Sequence, residues 1–150
     1  FSRHQKNEET ELVVLNEMIE DTVKKYEGKK INTRVEQNLK MNIRPNSIKR
    51  CLANLIDNGL AYGKSVEISA NKSSNNVEIF VDDDGPGIPK EEYLNVMKPF
   101  YRIDKSRGQN KSGVGLGLSI ANDIVRSHGG IISLDESPTR GLRVKISLPL

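Results

Sequence analysis

The stretch of sequence that decides the fold is VEIFVDDDGPG at residues 77–87, together with SGVGLGL at residues 112–118. Every second residue of the segment 77–81 is apolar, and a period of two predicts a β-strand with one buried face. The same count puts Asp83 at the end of that face, where a carboxylate costs free energy unless a donor bonds to it. We therefore expect Asp83 to be a hydrogen-bond acceptor at the floor of a cleft. The alternative is a turn aspartate that accepts from the N–H groups of its own loop.

Glycine-rich turns follow this strand and precede a predicted helix. At residues 84–87 two glycines flank a proline, which allows a tight turn and lets a ligand approach the backbone closely. The glycines of residues 112–118 lead into a helix, and a helix start of this kind can offer N–H groups to an anion. Neither the dinucleotide fingerprint nor a P-loop is complete there, so close helix packing is the alternative to phosphate binding.

A basic loop lies between the two turns. Residues 98–111 contain five Lys or Arg and one Asp, a local net charge of +4, whereas the whole chain carries only +3. The basic excess of the protein is therefore concentrated in this loop. A long charged loop between a carboxylate turn and a glycine turn predicts a lid over a polyphosphate.

The composition excludes several classes of function. A chain of 150 residues with 35% hydrophobic residues is the size of one domain with one core. The absence of Trp argues against base stacking on single-stranded nucleic acid, and the concentrated charge argues against nucleic-acid binding in general. The single Cys51 excludes an internal disulfide and a cysteine-based metal site. No apolar run approaches the ~20 residues that span a bilayer.

The chain is predicted to divide into a polar tail or linker at residues 1–10 and one domain at residues 11–150. The local signals predict these elements of the domain: an edge strand at 12–15, a helix capped by Asn16 and ending near residue 27, two paired strands at 31–36 and 39–43 that bend near Asn38, a helix from Pro45, a hairpin of 65–70 and 77–83 across residues 71–76, a short helix at 91–97, a helix at 119–128, and a closing hairpin of 131–134 and 142–148. This order predicts an α+β two-layer sandwich, with helices on one face of a mixed, mostly antiparallel sheet.

The helix from Pro45 carries two asparagines at its rim. Asn54 and Asn58 are four residues apart and fall on one side, beside a core stripe of Ile48, Cys51, Leu52, Leu55, Ile56 and Gly59. Asparagine is unfavourable inside a helix because its side chain competes for backbone hydrogen bonds. Its carbonyl oxygen is a hard ligand that suits Mg²⁺, although a pair of solvated asparagines is the alternative.

Four segments in this order carry a resemblance to a known family: Asn54-Leu55-Ile56-Asp57-Asn58, Asp83-Asp84-Gly85-Pro86-Gly87, Pro99-Phe100-Tyr101-Arg102 and Gly113-Val114-Gly115-Leu116-Gly117. They resemble the N, G1, F and G2 boxes of the catalytic ATP-binding domain of bacterial two-component sensor histidine kinases. The likeness covers about residues 10–150, and residues 44–50 are similar to the EnvZ-type group. It implies the Bergerat, or GHKL, fold and a site for ATP and Mg²⁺.

The resemblance also implies roles for individual residues. Asp83 would accept a hydrogen bond from the adenine amino group. Asn58 would hold Mg²⁺, and Asn54 would help to orient phosphate or metal. Tyr62 and Ile88 would line the adenine pocket.

The remaining expected contacts with the nucleotide come from the two turns and the loop. Arg102, Arg107 and Lys111 would meet the phosphates, and Arg102 and Arg107 are expected to act in catalysis together with Asn54 and Asn58. The further expected contacts are Gly85, Gly87, Tyr101, Ser112, Gly113, Val114, Gly115, Leu116, Gly117, Leu118 and Gly141.

Three positions depart from the family's pattern. Ala61 stands where Lys or Arg is common, Met97 stands where the F box has its first Phe, and Gly59 stands where Ala is usual. Gly59 should weaken the helix by roughly 0.5–1 kcal/mol relative to alanine. We expect these departures to tune the affinity for ATP and not to abolish it.

The resemblance favours a kinase over a hydrolase. Phosphoryl transfer needs positioning and charge neutralisation, which Asn, Arg and backbone N–H groups can supply. The gyrase, Hsp90 and MutL-type ATPases of this fold have Glu four residues before the metal Asn to activate water, whereas this chain has Asn54. We therefore predict a protein histidine kinase. The alternatives are a GHKL-fold ATPase, a serine-directed kinase and a nucleotide-binding regulatory module without catalysis.

The expected partners lie outside this chain. Neither His4 nor His128 lies in the family's phosphoacceptor pattern, and His128, on a core-facing stripe, is expected to be structural. The resemblance thus implies a dimerisation and histidine-phosphotransfer domain of the same parent protein, ahead of the linker, and onward transfer to the receiver domain of a response regulator. The chain itself is expected to be monomeric and cytoplasmic, with its parent in the bacterial inner membrane.

Overall fold

The fold is a five-stranded sheet with helices packed on one face, and a computed structural model describes it for residues 8–101 and 117–150. The strands and helices in chain order are β1 Glu11–Val14, α1 Leu15–Val23, β2 Lys30–Val35, β3 Lys40–Ile43, α2 Pro45–Tyr62, β4 Ser65–Ser73, β5 Asn76–Asp83, α3 Gly117–Ser127, β6 Ile131–Glu136 and β7 Leu142–Pro149. Short 3₁₀ turns lie at Lys24–Tyr26, Lys90–Glu92 and Asn95–Met97. None of the helices in the described ranges is both long and apolar enough to cross a membrane.

The large sheet has the strand order β2-β4-β5-β7-β6. Among the described strands of this sheet, β2 and β4 pair in parallel, and the other neighbours pair antiparallel. Strands β1 and β3 form a separate antiparallel pair. The predicted fold class, an α+β sandwich with a mixed and mostly antiparallel sheet, is confirmed.

The core lies between the three helices and one face of the sheet. Strands β4, β5 and β7 bury every second residue, as the period of two predicted for residues 77–83 requires. The whole predicted stripe of α2, from Ile48 to Gly59, is buried. The largest fully buried side chains include Ile19, Leu52, Leu55, Ile56, Ile68, Ile79, Ile124 and Ile146.

The predicted cap of the first helix is wrong. Helix α1 begins at Leu15, so Asn16 lies inside its first turn, and the N-cap position Val14 makes no side-chain capping bond. Instead, the N–H of Leu15 donates to the carbonyl of Leu39 at 2.7 Å. A long-range backbone bond thus satisfies an N–H group that a local cap would otherwise serve.

The predicted pairing of the second and third strands is also wrong. Both strands exist, and the chain turns at Asn38, where φ is 59°. However, β2 pairs with β4 in the large sheet and β3 pairs with β1 in the small one. Local turn signals indicate where the chain bends, but they do not say which strand becomes the partner.

Two predicted boundaries shift because the hydrogen bonding differs from the local expectation. The predicted loop at residues 71–76 is mostly strand, since β4 and β5 pair up to Ser73 and Asn76 and leave only two residues in the turn. The predicted helix at residues 91–97 is two 3₁₀ turns. Their N–H groups bond to carbonyls three residues earlier, as from Tyr93 to Lys90.

The start of α2 is capped from outside the helix by Glu8. The carboxylate of Glu8 accepts from the N–H of Asn46 at 2.8 Å and from the N–H and hydroxyl of Ser47 at 3.0 and 2.9 Å. Arg44, at the N-cap position, makes no side-chain capping bond. Burial alone would raise the pKa of Glu8, but the bonds from Asn46 and Ser47 outweigh it and hold the pKa below its ordinary value. An anion at a helix N-terminus is favourable because of the free N–H groups and the helix dipole.

Glu8→Ala should lower the free energy of unfolding by about 1–2 kcal/mol, because α2 loses its cap. Glu9→Ala is the matched control, since Glu9 is exposed, and it should change stability by less than about 0.5 kcal/mol. Urea unfolding of both variants at pH 7 measures the difference. Equal stability of the two variants would show that the Glu8 cap contributes nothing.

Candidate functional site

Asp83 lies at the end of β5 with only 6% of its surface exposed. Its Oδ1 accepts from the N–H of Gly85 at 2.9 Å and from the N–H of Leu142 at 3.1 Å. Within residues 8–101 and 117–150, nothing donates to its second oxygen, Oδ2. Oδ1 therefore fits the alternative of a turn aspartate in part, since one of its two donors, Gly85, belongs to the loop after β5. Oδ2 is the atom that remains able to accept a hydrogen bond from a ligand.

Two adjacent carboxyl groups have opposite electrostatic environments. Burial raises the pKa of Asp83, and the bonds from Gly85 and Leu142 oppose that rise. The pKa of Asp84 is lowered because it accepts from the N–H of Ser65 and the N–H of Lys64. Asp84 thus ties the start of β4 to the turn after β5, whereas the Oδ2 of Asp83 receives no hydrogen bond from the described residues.

The turn between β6 and β7 closes over the backbone of Asp83. A Cβ on Gly141 would lie less than 3.0 Å from the Oδ1, carbonyl oxygen and carbonyl carbon of Asp83, so no larger residue fits there unchanged. The hydroxyl of Thr139 donates to the carbonyl of Asp83 at 3.0 Å. Sequence reasoning missed Thr139 and Leu142 as supports of Asp83, because no local signal indicates a contact across more than 50 residues.

Asn54 and Asn58 lie on α2 and are both partly buried. The Nδ2 of Asn54 is buried and has no hydrogen-bond partner among the described residues. A buried amide donor without a partner costs about 1–3 kcal/mol, so the site favours a ligand that brings an acceptor. Helix α3 begins beside Asn54, since a Cβ on Gly117 would lie 3.8 Å from the backbone carbonyl oxygen of Asn54.

The residues expected around an adenine ring lie near the end of α2 and after β5. Gly85 touches the last turn of α2, because a Cβ there would be 2.7 Å from the carbonyl oxygen of Tyr62. The side chain of Tyr62 is 44% exposed, and Ile88 is partly buried against the core. Gly87 lies against the β6–β7 turn, because a Cβ on it would be 3.3 Å from the backbone carbonyl oxygen of Arg140.

The other expected site residues divide into described and undescribed ones. The hydroxyl of Tyr101 donates to the carboxylate of Glu92. Leu118 is a buried core residue with 8% of its surface exposed. Their contacts with a nucleotide remain predictions. Eight further expected residues lie outside the described ranges: Arg102, Arg107, Lys111, Ser112, Gly113, Val114, Gly115 and Leu116.

His128 is held by both ring nitrogens. Its Nδ1 is 2.9 Å from the carbonyl of Ile124, to which it donates, and its Nε2 accepts from the N–H of Arg44 at 3.1 Å. Burial lowers the pKa of this imidazole, which fits the neutral form that these two bonds require. The residue joins the end of α3 to the start of α2, so its role is structural, as the sequence predicts.

The stability of the protein should fall as the pH falls below 6.5, the ordinary pKa of the His128 side chain. Because the folded-state pKa is the lower one, the unfolded chain binds the proton first, and the contribution of neutral His128 is lost as the pH falls through the folded value. Urea unfolding between pH 7.5 and 5 should show this slope, and His128→Gln should reduce it. An unchanged slope in the variant would assign the effect to other groups.

No group of three or more His, Cys, Asp and Glu that could hold a metal ion occurs in the described part of the chain. A metal in this site would therefore depend on oxygen ligands of other kinds, such as Asn58 and the ligand itself.

Known proteins with similar sequences include sensor histidine kinases. The family model of histidine kinase-, DNA gyrase B- and HSP90-like ATPases matches residues 43–150. Sensor histidine kinase GtrS of Pseudomonas aeruginosa is 42% identical over 106 residues, which are 71% of this chain and 22% of that protein. Sensor histidine kinase CpxA of Escherichia coli strain K12 is 37% identical over 107 residues, again 71% of this chain and 23% of that protein. The chain thus spans less than a quarter of the length of these relatives.

Solved structures with the same fold include two domains of about the same length as this chain. The catalytic domain of histidine kinase ThkA matches with a TM-score of 0.81 at 26% identity, over 94% of this chain and 97% of that one. The ATP binding domain of PrrB from Mycobacterium tuberculosis matches with a TM-score of 0.76 at 25% identity, over 93% and 96%. The narrower likeness to the EnvZ-type group remains a prediction.

Proposed function

We propose a function from one premise: the chain belongs to the family of histidine kinase-, DNA gyrase B- and HSP90-like ATPases. We infer that it binds ATP with Mg²⁺ and presents the γ-phosphate to a histidine on a separate domain of its parent protein. The observation that carries the proposal is the buried Nδ2 of Asn54, which has no hydrogen-bond partner among the described residues, and beside it stands the buried Asp83, whose Oδ2 receives no hydrogen bond from them.

Asp83 is suited to recognise the adenine base. Its Oδ1 is already bonded to two N–H groups, which orient the carboxylate and leave Oδ2 for an amino group of the ligand. A hydrogen bond to a buried carboxylate is among the stronger ones in proteins. Tyr62, at the end of α2, and Ile88, after β5, would supply apolar surface beside the base.

Asn54 and Asn58 are suited to the phosphate end. The buried Nδ2 of Asn54 needs an acceptor, and a phosphate oxygen is a strong one. Asn58, one turn further along α2, would hold Mg²⁺ by its carbonyl oxygen, together with water and phosphate oxygens. When bound, Mg²⁺ would neutralise charge on the β- and γ-phosphates.

The residues at positions 54 and 128 support transfer to a separate domain rather than hydrolysis. Position 54 holds an amide, which cannot take a proton from water as a carboxylate would. His128 cannot serve as the phosphoacceptor while both of its ring nitrogens are bonded to backbone. We therefore place the acceptor histidine on the dimerisation domain of the parent protein, with a response-regulator receiver domain as the next acceptor and the inner membrane as the parent's location.

Asn58→Ala should remove the Mg²⁺ dependence of ATP binding while leaving most of the adenine contact. In calorimetry, wild type should bind ATP at least about tenfold tighter with Mg²⁺ than with a chelator, and the variant less than about threefold. Asn32→Ala, at an exposed asparagine of β2, is the control and should behave as wild type. A variant that keeps the full Mg²⁺ effect would remove Asn58 from the metal site.

The transferred group identifies the reaction. The chain joined to the histidine-bearing domain of its parent should yield a phosphoryl group that acid removes, as expected of phosphohistidine. An acid-stable product would indicate a serine-directed kinase. Rapid ATP hydrolysis by the chain alone would indicate an ATPase, and binding without either reaction would indicate a regulatory module.

A further inference from the structure

Helix α2 is bonded from outside by Tyr26, which lies in the 3₁₀ turn after α1. The hydroxyl of Tyr26 donates to the Oδ1 of Asp57 at 2.8 Å and lies 3.2 Å from the backbone carbonyl oxygen of Ala53. A phenol has one proton, so we assign it to the shorter contact. The ring of Tyr26 is partly buried against the core, which fixes the place of the hydroxyl. The carboxylate of Asp57, an exposed residue, is therefore anchored at one point.

The bond from Tyr26 to Asp57 persists over the physiological pH range. Burial raises the pKa of the Tyr26 hydroxyl, and the bond to Asp57 and the negative charge of Asp57 raise it further. The phenol therefore keeps its proton and remains a donor. A hydrogen bond to a carboxylate is also stronger than one between two neutral groups, so Tyr26 is a firm anchor for Asp57.

Asn54, three residues before Asp57 on α2, carries the buried Nδ2 that has no partner among the described residues. Side chains three residues apart are neighbours on a helix, and an amide can donate to a carboxylate at this spacing. Asp57 does not accept that bond, although it lies within reach along the helix. The bond from Tyr26 explains both observations, because it holds a neighbouring acceptor elsewhere and so leaves the donor of Asn54 without a partner.

We propose that Tyr26 is a positioning residue for phosphate binding, which holds the Asp57 carboxylate away from Asn54 and thereby keeps the Nδ2 of Asn54 open to a phosphate oxygen. The inference rests on the proposed function, since it assumes that Asn54 bonds to the phosphates of ATP. Without the hydroxyl of Tyr26, Asp57 would be free to turn toward Asn54. It would then accept from Nδ2 in place of the ligand, and its negative charge would repel the phosphates.

The readout of this role is the preference for ATP over adenosine, measured with a chelator so that no metal bridges the phosphates. Adenosine has the same base and sugar but lacks the phosphates to which Asn54 would bond. Wild type should therefore bind ATP at least about tenfold tighter than adenosine. A general loss of stability would weaken both ligands alike and leave this ratio unchanged.

The experiment compares wild type, Tyr26→Phe, Asp57→Ala and the double variant by calorimetry with both ligands. Phenylalanine keeps the ring in the core and removes only the hydroxyl. Tyr26→Phe should lower the preference for ATP at least about fivefold. The double variant should return to within about twofold of wild type, because no carboxylate is left to turn toward Asn54. Asp57→Ala alone should keep the wild-type preference or exceed it.

Tyr93→Phe is the matched control, because it removes the hydroxyl of another tyrosine that is partly buried against the core. It should keep the preference of wild type for ATP. A loss equal to that of Tyr26→Phe would show that the effect does not depend on Asp57, and it would overturn the inference.

The other outcomes separate this inference from the proposed function. A wild type that binds ATP no tighter than adenosine would overturn the phosphate role of Asn54 and this inference with it. A wild-type preference that Tyr26→Phe retains would overturn this inference alone. So would a double variant as weak as Tyr26→Phe, since a displaced helix would then cause the loss, or an Asp57→Ala protein that loses the preference. A Tyr26→Phe protein that does not fold would also overturn it, because the hydroxyl would then serve the fold.

Discussion

Asp83→Asn should lower the affinity for ADP by about 100-fold, because the amide NH₂ that replaces Oδ2 would face the adenine amino group as a second donor. The same change should leave the thermal stability of the nucleotide-free protein equal or higher. The Oδ1 of asparagine can still accept from the N–H groups of Gly85 and Leu142. A variant that is stable but does not bind would separate the recognition role of Asp83 from any role in folding.

The stability part of this prediction follows from the sign of the pKa shift. Burial raises the pKa of Asp83 above its ordinary 3.8, so the unfolded chain ionises more readily than the folded one. The contribution of Asp83 to stability is therefore present below pH 3.8 and is lost as the pH rises through the folded value. Asparagine has no charge to bury, and the stability of the variant relative to wild type should increase over that range.

Asp84→Asn is the matched control for this experiment. Asp84 has a lowered pKa and accepts from the N–H groups of Lys64 and Ser65, so its loss of charge should reduce stability. It should keep the affinity of wild type for ADP, because its carboxylate is occupied by backbone. Calorimetry measures the nucleotide affinity of both variants, and thermal denaturation measures their stability. Tight ADP binding by Asp83→Asn would remove Asp83 from base recognition.

Gly141→Ala should reduce the free energy of unfolding by about 3 kcal/mol and weaken ADP binding together with it. The new methyl group would overlap the Oδ1 and the backbone carbonyl of Asp83, both of which are fixed by hydrogen bonds. The β6–β7 turn would have to move away, and the N–H of Leu142 would move with it. The bond that orients the carboxylate would be lost as a result.

Gly28→Ala is the control for Gly141→Ala. Gly28 has a φ of +84°, and a Cβ there would meet nothing within 4 Å, so alanine adds backbone strain of about 1–2 kcal/mol without a contact. It should leave ADP affinity unchanged. Urea unfolding and calorimetry of both variants test the prediction. A Gly141→Ala protein as stable as wild type would mean that the β6–β7 turn adapts freely.

The sequence by itself determined where single helices and strands form and which of their faces is buried. The alternation at residues 77–83 predicted both β5 and the burial of Asp83, and the spacing from Ile48 to Gly59 predicted the core face of α2. The four boxes predicted the family and the fold, which the match over residues 43–150 and the strand order confirm. These signals are local because hydrophobic periodicity compares residues two to four positions apart.

Only the tertiary structure decided which distant segments meet. Nothing within residues 30–43 indicates that β2 pairs with β4 and β3 with β1. The cap that Glu8 provides to Asn46 spans 38 residues, and the bond from Leu142 to Asp83 spans 59. The close approach of Gly59 to Val66 exists only where α2 crosses β4. Such contacts depend on the path of the whole chain, so local patterns predict the groups that take part but not the partners they find.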